Sequence, residues 1–248
     1  MAILWSLVVI DPLIILSTIL CGTVSIFCTL FDKTGNTAIR VGRVWARSLL
    51  GFAGVKVRVE GLEKIHPDGK YVFCTNHLSY MDTPVVLGHI PVQFRFLAKR
   101  GLFQIPFMGT HLTQAGHIPV PLEDARAAVK TLTLAAHTIE KRSVSLLIFP
   151  EGGRSEDGIL QPFKDGAAYV AIKAGVPIVP VALIGTREIL PMGSATFRSG
   201  PVTLHIGDPI PTEGMTSHDR KALTARMREQ IVELLQPARE ATPSAPLR

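Results

Sequence analysis

The sequence predicts an α/β fold: a mixed, mainly parallel sheet flanked by helices, with an N-terminal membrane-associated helical segment. Three observations carry this. Seven short apolar runs rich in β-branched residues follow residue 52, each bounded by glycine, proline or polar residues. Helix-period patterns lie between several of them, and strands alternating with helices build sheets with helices on their faces. Finally, residues 1–31 carry a single charge, Asp11, and none at all from 12 to 31. The 248 residues suit one large domain with a small appendage. Three segments are expected: membrane-anchoring helices at 1–52, an α/β domain at 53–236 and a flexible tail at 237–248, PAREATPSAPLR.

The uncharged stretch 12–31, PLIILSTILCGTVSIFCTLF, has the length needed to span a hydrocarbon core of about 30 Å. It lacks the basic n-region and the A-x-A site of a cleaved signal peptide. Lys33, Arg40, Arg43 and Arg47 follow it, which by the basic-flank rule places the rest of the chain in the cytoplasm. Two arrangements stay open: one spanning helix at 12–31, or a hairpin of 2–31 and 34–52 lying in one leaflet. The second segment mixes Ile39, Val41, Val44, Trp45, Leu49 and Leu50 with arginines, an interfacial pattern. A buried soluble hairpin is the plain alternative.

Strands are expected at 55–59 (VKVRV), 71–75 (YVFCT), 94–98 (FRFLA), 117–120 (HIPV), 144–149 (VSLLIF), 178–183 (IVPVAL) and 202–206 (VTLHI). Asp124 caps a helix running to 141, with Val129, Leu132, Ala136 and Ile139 on one face. Residues 166–174 form a short helix closed by Gly175. A last helix at 218–235 aligns Leu223, Met227, Ile231 and Leu234. Pro180 inside the sixth run argues for an edge, a bulge or a bend there.

Composition narrows the function. The formal net charge is +6, the sequence pI about 9.4 and the mean hydropathy +0.30. A basic, apolar chain suits an anionic membrane surface or phosphorylated small molecules. Only 6% of residues are aromatic and they do not interleave with basic ones, which argues against nucleic acid. Cys21, Cys28 and Cys74 have no metal-ligand or redox spacing, so neither a metal site nor a disulfide framework is expected. The chain has no G-x-S-x-G, H-E-x-x-H or G-x-x-x-x-G-K-[ST].

Four constellations sit at strand ends, where open α/β sheets bind ligands. In CTNHLSYMDTP, His77 and Asp82 follow the second strand. Ser79 caps the next helix with Asp82 at its third position, a weak capping box; on that reading His77 is a loop histidine. On the other reading the helix start folds the carboxylate back to the imidazole, fixes its tautomer and leaves a neutral base. In FPEGGRS, Gly152 and Gly153 expose backbone N–H groups and Arg154 offers a planar fork for phosphate oxygens. Glu151 is placed to orient that arginine or a substrate hydroxyl, and Lys164 adds positive charge nearby. Lys99 and Arg100 end the third strand, ahead of the apolar run LFQIPFMG. The fourth constellation is IVPVAL itself.

The order NHLSYMD, KRGLFQIPFMG, FPEGGRS, VPVAL, over roughly residues 50–210, resembles the bacterial glycerolipid acyltransferases. It is most similar to those acting on 1-acyl-sn-glycerol 3-phosphate. The resemblance implies transfer of an acyl group from a thioester of coenzyme A or acyl carrier protein to lysophosphatidic acid, giving phosphatidic acid, with no further cofactor. It implies that His77 is the general base and that Asp82 holds it. Lys99, Arg100 and Gly101, with Glu151, Gly152 and Arg154, bind the acceptor phosphate, and Pro180 shapes the pocket. It places the protein at the phospholipid inner membrane, catalytic domain on the cytoplasmic side. One position departs: the third block commonly reads E-G-T-R-S, and Gly153 stands where threonine would. Glycerol 3-phosphate or another lysolipid is an alternative acceptor. A non-catalytic lipid-binding membrane module would not need the His77–Asp82 pair, and a soluble hydrolase would need a nucleophile elbow that is missing.

Overall fold

All seven apolar runs become strands. The computed structural model describes residues 6–194 and 196–236; the expected tail at 237–248 and the first five residues of the N-terminal segment lie outside them. The strands are β1 (Val55–Glu60), β2 (Val72–Thr75), β3 (Phe94–Lys99), β4 (Ile118–Val120), β5 (Ser145–Ile148), β6 (Ile178–Ile184) and β7 (Gly200–Ile206). They form one sheet in the order β1-β7-β6-β2-β5-β3-β4. Every neighbouring pair is parallel except β6 and β7. The central strands β2, β5 and β6 are buried almost throughout, which is why their sequences read as unbroken apolar runs.

Helices cover both faces. On one lie α2 (Asn36–Phe52) and α3 (Asp82–His89); on the other lie α5 (Ala125–Arg142), α6 (Gly166–Ala174) and α8 (Arg220–Leu235). Two shorter helices, α4 (Met108–Gln114) and α7 (Thr186–Ile189), sit in connections. Alternation along the strands divides the core. Phe73, Phe94, Leu147 and Val181 pack with Ile39, Leu50 and Val86 on the first face. Val72, Cys74, Leu146 and Ile148 pack with Ile139, Ala168 and Met227 on the second.

Two of the expected caps form. Asp124 accepts the N–H groups of Arg126 and Ala127 at the head of α5, and Gly175 closes α6 in the left-handed conformation. The α5 stripe begins later than expected. Val129 is exposed, whereas Ala135, Ala136 and Ile139 are buried. The strand beneath the head of α5, β4, is only three residues long, so little sheet lies under its first turns.

Pro180 sits in the interior strand β6 without disrupting it. Val181 pairs with Ile206, while Ile178 bridges Ile210. The partner chain therefore spends one residue more over the same distance, a bulge opposite the proline. Pro180 accepts from Gly207 N there and has no N–H to place.

The N-terminal segment is a two-helix hairpin. A continuous helix, α1 (Ser6–Cys28), opens with a π-helical turn and is long and apolar enough to cross a membrane. It packs against α2, and Trp45 Nε1 donates to Thr18 Oγ1 across the pair. The two helices have different surroundings. The apolar stripe of α2, with Ala38, Ile39, Ala46, Leu49 and Leu50, is buried in the sheet core, where an interfacial position was expected. An amphipathic helix reads the same from sequence whether its stripe meets lipid or a sheet. By contrast α1 leaves Ile15, Leu16, Ile19, Leu20 and Phe27 more than half exposed. The two helices thus differ: one is core, the other presents exposed apolar side chains, with Thr23 among them turning its hydroxyl back onto the Ile19 carbonyl.

Candidate active site

The loop between β2 and α3 is fixed at its first residue. Asn76, fully buried, donates from Nδ2 to the Leu183 carbonyl and accepts from Leu183 N through Oδ1, at 2.9 and 2.8 Å. Both hydrogen-bonding functions of the amide are matched, so the chain leaves β2 tied to β6 and places His77 at the centre of the sheet's carboxyl end.

His77 and Asp82 meet. Nδ1 and Oδ2 are 2.7 Å apart, with Asp82 fully buried and His77 8% exposed. The same Oδ2 accepts the N–H groups of Leu78 and Ser79 at 2.7 and 2.8 Å. Ser79 Oγ in turn accepts from Met81 N. Helix start and base–orienter pair are therefore one structure. The helix opens at Asp82 itself, with Met81 before it and no side-chain cap; Ser79, expected as the cap, instead donates from Oγ to the Leu190 carbonyl. With the carboxylate accepting from Nδ1–H, the lone pair lies on Nε2, to which no described residue bonds. Burial pushes the His77 pKa below the ordinary histidine value, against the upward pull of the Asp82 hydrogen bond and charge and with a smaller downward push from Arg154. The imidazole is thus neutral near pH 7 and poised to accept a proton.

The FPEGGRS segment wraps this histidine. The His77 ring stacks on Phe149, centroids 3.8 Å apart. The His77 backbone N–H donates to Glu151 Oε1 at 2.6 Å and the His77 carbonyl accepts from Ser155 N at 2.9 Å. The second Glu151 oxygen accepts from Gln161 N at 2.8 Å. Glu151 is buried and turned inward, joining the two loops. Burial raises its pKa, opposed by those two N–H bonds.

Arg154 stands at the lip. Its Nε donates to the Ser79 carbonyl at 3.3 Å, and its guanidinium lies 4.1 Å from the centroid of the Tyr80 ring. Burial lowers its pKa while the Asp82 carboxylate opposes the shift, so the guanidinium stays charged near neutral pH. Gly152 adopts a positive φ of 78°, and the Lys164 ammonium lies 2.6 Å from where its Cβ would be; that turn favours glycine. Gly153 differs: its φ is not positive and a Cβ there meets nothing within 4 Å. An open cleft of about 540 Å³ adjoins, lined by Glu151, Gly153, Arg154, Ser155, Gln161 and Pro162, with Glu156 and Asp157 at its wall.

The structure thus gathers His77, Asp82, Glu151, Gly152 and Arg154. Lys99, Arg100 and Gly101 stand apart, exposed at the carboxyl end of β3. β5 lies between β3 and β2, which leaves those three on the rim of the same end of the sheet. Asn76, Phe149, Ser155, Gln161 and Tyr80 are site components that spacing did not single out. Asn76, a buried amide directly after an apolar strand, carried the one local signal. Phe149, Ser155 and Tyr80 act through contacts more than 70 residues away in sequence, and Gln161 through Glu151, ten residues before it.

Comparison with known proteins places this arrangement. The family model described as Acyltransferase matches residues 56–184, just over half of the chain. A chloroplastic 1-acyl-sn-glycerol-3-phosphate acyltransferase of Brassica napus is 35% identical over 187 residues, 74% of this chain and 54% of that protein. One from Arabidopsis thaliana is 37% identical over 172 residues, covering 68% and 48%. The human 1-acyl-sn-glycerol-3-phosphate acyltransferase alpha is 31% identical over 179 residues, covering 72% and 63%. The chain thus spans about half to two thirds of the length of these relatives. The crystal structure of a 1-acyl-sn-glycerophosphate acyltransferase from Thermotoga maritima superposes with a TM-score of 0.76 at 27% identity, covering 94% of this chain and 98% of that one. With its sheet, its His77–Asp82 pair and the matched segment, the chain belongs to the acyltransferase family.

Proposed function

We propose that the protein transfers an acyl group from an acyl thioester, on coenzyme A or acyl carrier protein, to the free hydroxyl of 1-acylglycerol 3-phosphate, yielding phosphatidic acid. The observation that carries this reading is the buried His77–Asp82 pair, whose free Nε2 is a neutral base beside a half-buried, charged arginine. The names of the relatives and of the solved neighbour support the acceptor.

The acceptor phosphate binds Arg154, with Lys164 and the Gly153 N–H, the Gly152 N–H being already given to the Phe149 carbonyl; Lys99, Arg100 and Gly101 supply positive potential and backbone donors at the rim. Glu151 holds His77 against that phosphate site. Docking energy orients the hydroxyl at Nε2. The hydroxyl oxygen attacks the thioester carbonyl carbon as Nε2 takes its proton. The tetrahedral intermediate collapses, the carbon–sulfur bond breaks, and the departing thiolate recovers the proton from His77. Pro180 and its bulge keep β6 in register beneath the pocket. The apolar face of α1 docks in the phospholipid inner membrane, with the α/β domain on the cytoplasmic side, where the exposed Lys33 and Arg40 reach anionic headgroups.

The test is an acceptor-by-donor activity panel on purified protein. Wild type is expected to acylate 1-acylglycerol 3-phosphate, and His77→Ala to lower kcat by about 10²–10⁴-fold with unchanged membrane association. A near-normal rate in His77→Ala would remove the base assignment. Reaction with phosphate-free acceptors alone would remove the phosphate site.

A further inference from the structure

Arg154 is held by a residue that no step of the mechanism uses. The Tyr80 ring, about half exposed, faces the Arg154 guanidinium at 4.1 Å. The Ser79 carbonyl, one residue earlier, accepts from Nε. These two contacts take one edge and one face of the guanidinium. Nη1 and Nη2 have no acceptor among the described residues, and Arg154 lines the cleft. A planar cation fixed on one face and one edge presents its remaining N–H pair in one orientation, the fork that two phosphate oxygens accept together.

We propose that Tyr80 is a positioning residue for the acceptor phosphate, acting through Arg154 by a cation–π contact that sets the guanidinium plane before substrate arrives. The proposal rests on reading Arg154 as the phosphate ligand. A free arginine side chain must freeze several rotors on binding, and a stacked one has frozen them already. The placement also ties the two loops of the site. Tyr80 lies between His77 and Asp82 in sequence, so the turn that presents the base sets the angle of the arginine that orients the substrate. The tyrosine hydroxyl is not needed for this; the ring face is.

The test is acceptor titration of the full-length enzyme in mixed micelles at saturating acyl-coenzyme A. Tyr80→Ala is expected to raise KM for 1-acylglycerol 3-phosphate about three- to fivefold, the value of a partly exposed cation–π contact. Its kcat is expected to stay within about twofold of wild type. Tyr80→Phe restores KM because it keeps the π face. Tyr80→Leu, which covers the arginine without a π face, does not. In an Arg154→Ala background Tyr80→Ala adds nothing further. The clamp is overturned by an unchanged KM in Tyr80→Ala, by wild-type KM in Tyr80→Leu, or by an equal KM rise without Arg154. Should Tyr80→Ala fail to fold, the Phe and Leu pair decides. If Arg154→Ala raises KM but Tyr80→Ala does not, the clamp alone has failed. If Arg154→Ala leaves KM unchanged, the phosphate reading has failed and the clamp with it.

Discussion

At His77 burial and the Asp82 carboxylate pull in opposite directions. Burial lowers the pKa and prevails; the Asp82 hydrogen bond and charge raise it. Replacing Asp82 by Asn removes the charge and leaves only a weaker, neutral hydrogen bond. The acid limb of kcat/KM, which reports the free base, should already lie below the ordinary histidine value of about 6.5, and in Asp82→Asn it should move further down. The rate should fall as well. Oδ2 now serves His77 Nδ1, Leu78 N and Ser79 N; an amide oxygen in that place still accepts from them but carries no charge. The imidazolium that forms as Nε2 takes the proton would then lack its counter-charge, and kcat should drop by about 10²–10⁴-fold. A pH–rate series on Asp82→Asn checks both signs, and an acid limb that moved up would contradict the balance described here. The sequence carried this pair in its spacing of five together with a capping residue, and it carried Arg154 in the glycine-rich turn. It did not carry the Phe149 stack, the Ser155 N–H or the inward turn of Glu151. Those contacts join residues some 70 positions apart, and nothing local encodes them.

Each strand was legible because a buried strand is a short β-branched run between breakers, and each of those is a local property. The pairing order and the reversal of β6 against β7 are not local, and the sequence did not display them. The same limit applies to α1 and α2: one reads as an apolar and the other as an interfacial helix, and only packing separates core from free surface. Leu16 and Leu20 lie one turn apart on the outer side of α1, each more than 60% exposed. If that side docks on lipid, Leu16→Lys with Leu20→Lys forfeits about 3–6 kcal/mol of burial, roughly two orders of magnitude or more in partitioning. The double variant should keep its circular dichroism and detergent melting curve, since neither side chain supports the fold, yet leave the membrane pellet and fail to float with anionic vesicles. Undiminished flotation would take α1 out of the membrane contact.

Four histidines share one electrostatic condition that governs the molecule as a whole. His77, His89, His111 and His117 all have pKa values lowered, first of all by burial. His117 is the extreme case: buried, close to the charges of His111 and Arg95, with Nδ1 accepting from Phe96 N at 3.0 Å. A proton on that nitrogen would set donor against donor at the β3–β4 junction. His111 Nδ1 meets Ser25 Oγ of α1 at 2.8 Å, so the hairpin feels the same titration. The unfolded chain takes up these protons near pH 6.5 and the folded chain only at lower pH. Between those limits the unfolded state binds more protons and stability rises with pH. The contribution is present above about pH 6.5 and is lost as pH falls through the lowered values. Glu151, whose pKa is raised, opposes this, but it is one group against four. Asp32, Asp157 and Asp219, whose pKa values are lowered by hydrogen bonds, act only in more acid solution. The melting temperature in detergent should therefore fall by roughly 5 °C or more between pH 7 and pH 5. His117→Asn places Oδ1 where Nδ1 now accepts from Phe96 and cannot titrate, so it should flatten that slope even if it lowers the midpoint at pH 7. A melting temperature level across this range in the wild type, or a slope unchanged in His117→Asn, would show that these buried imidazoles do not set the acid limit of the fold.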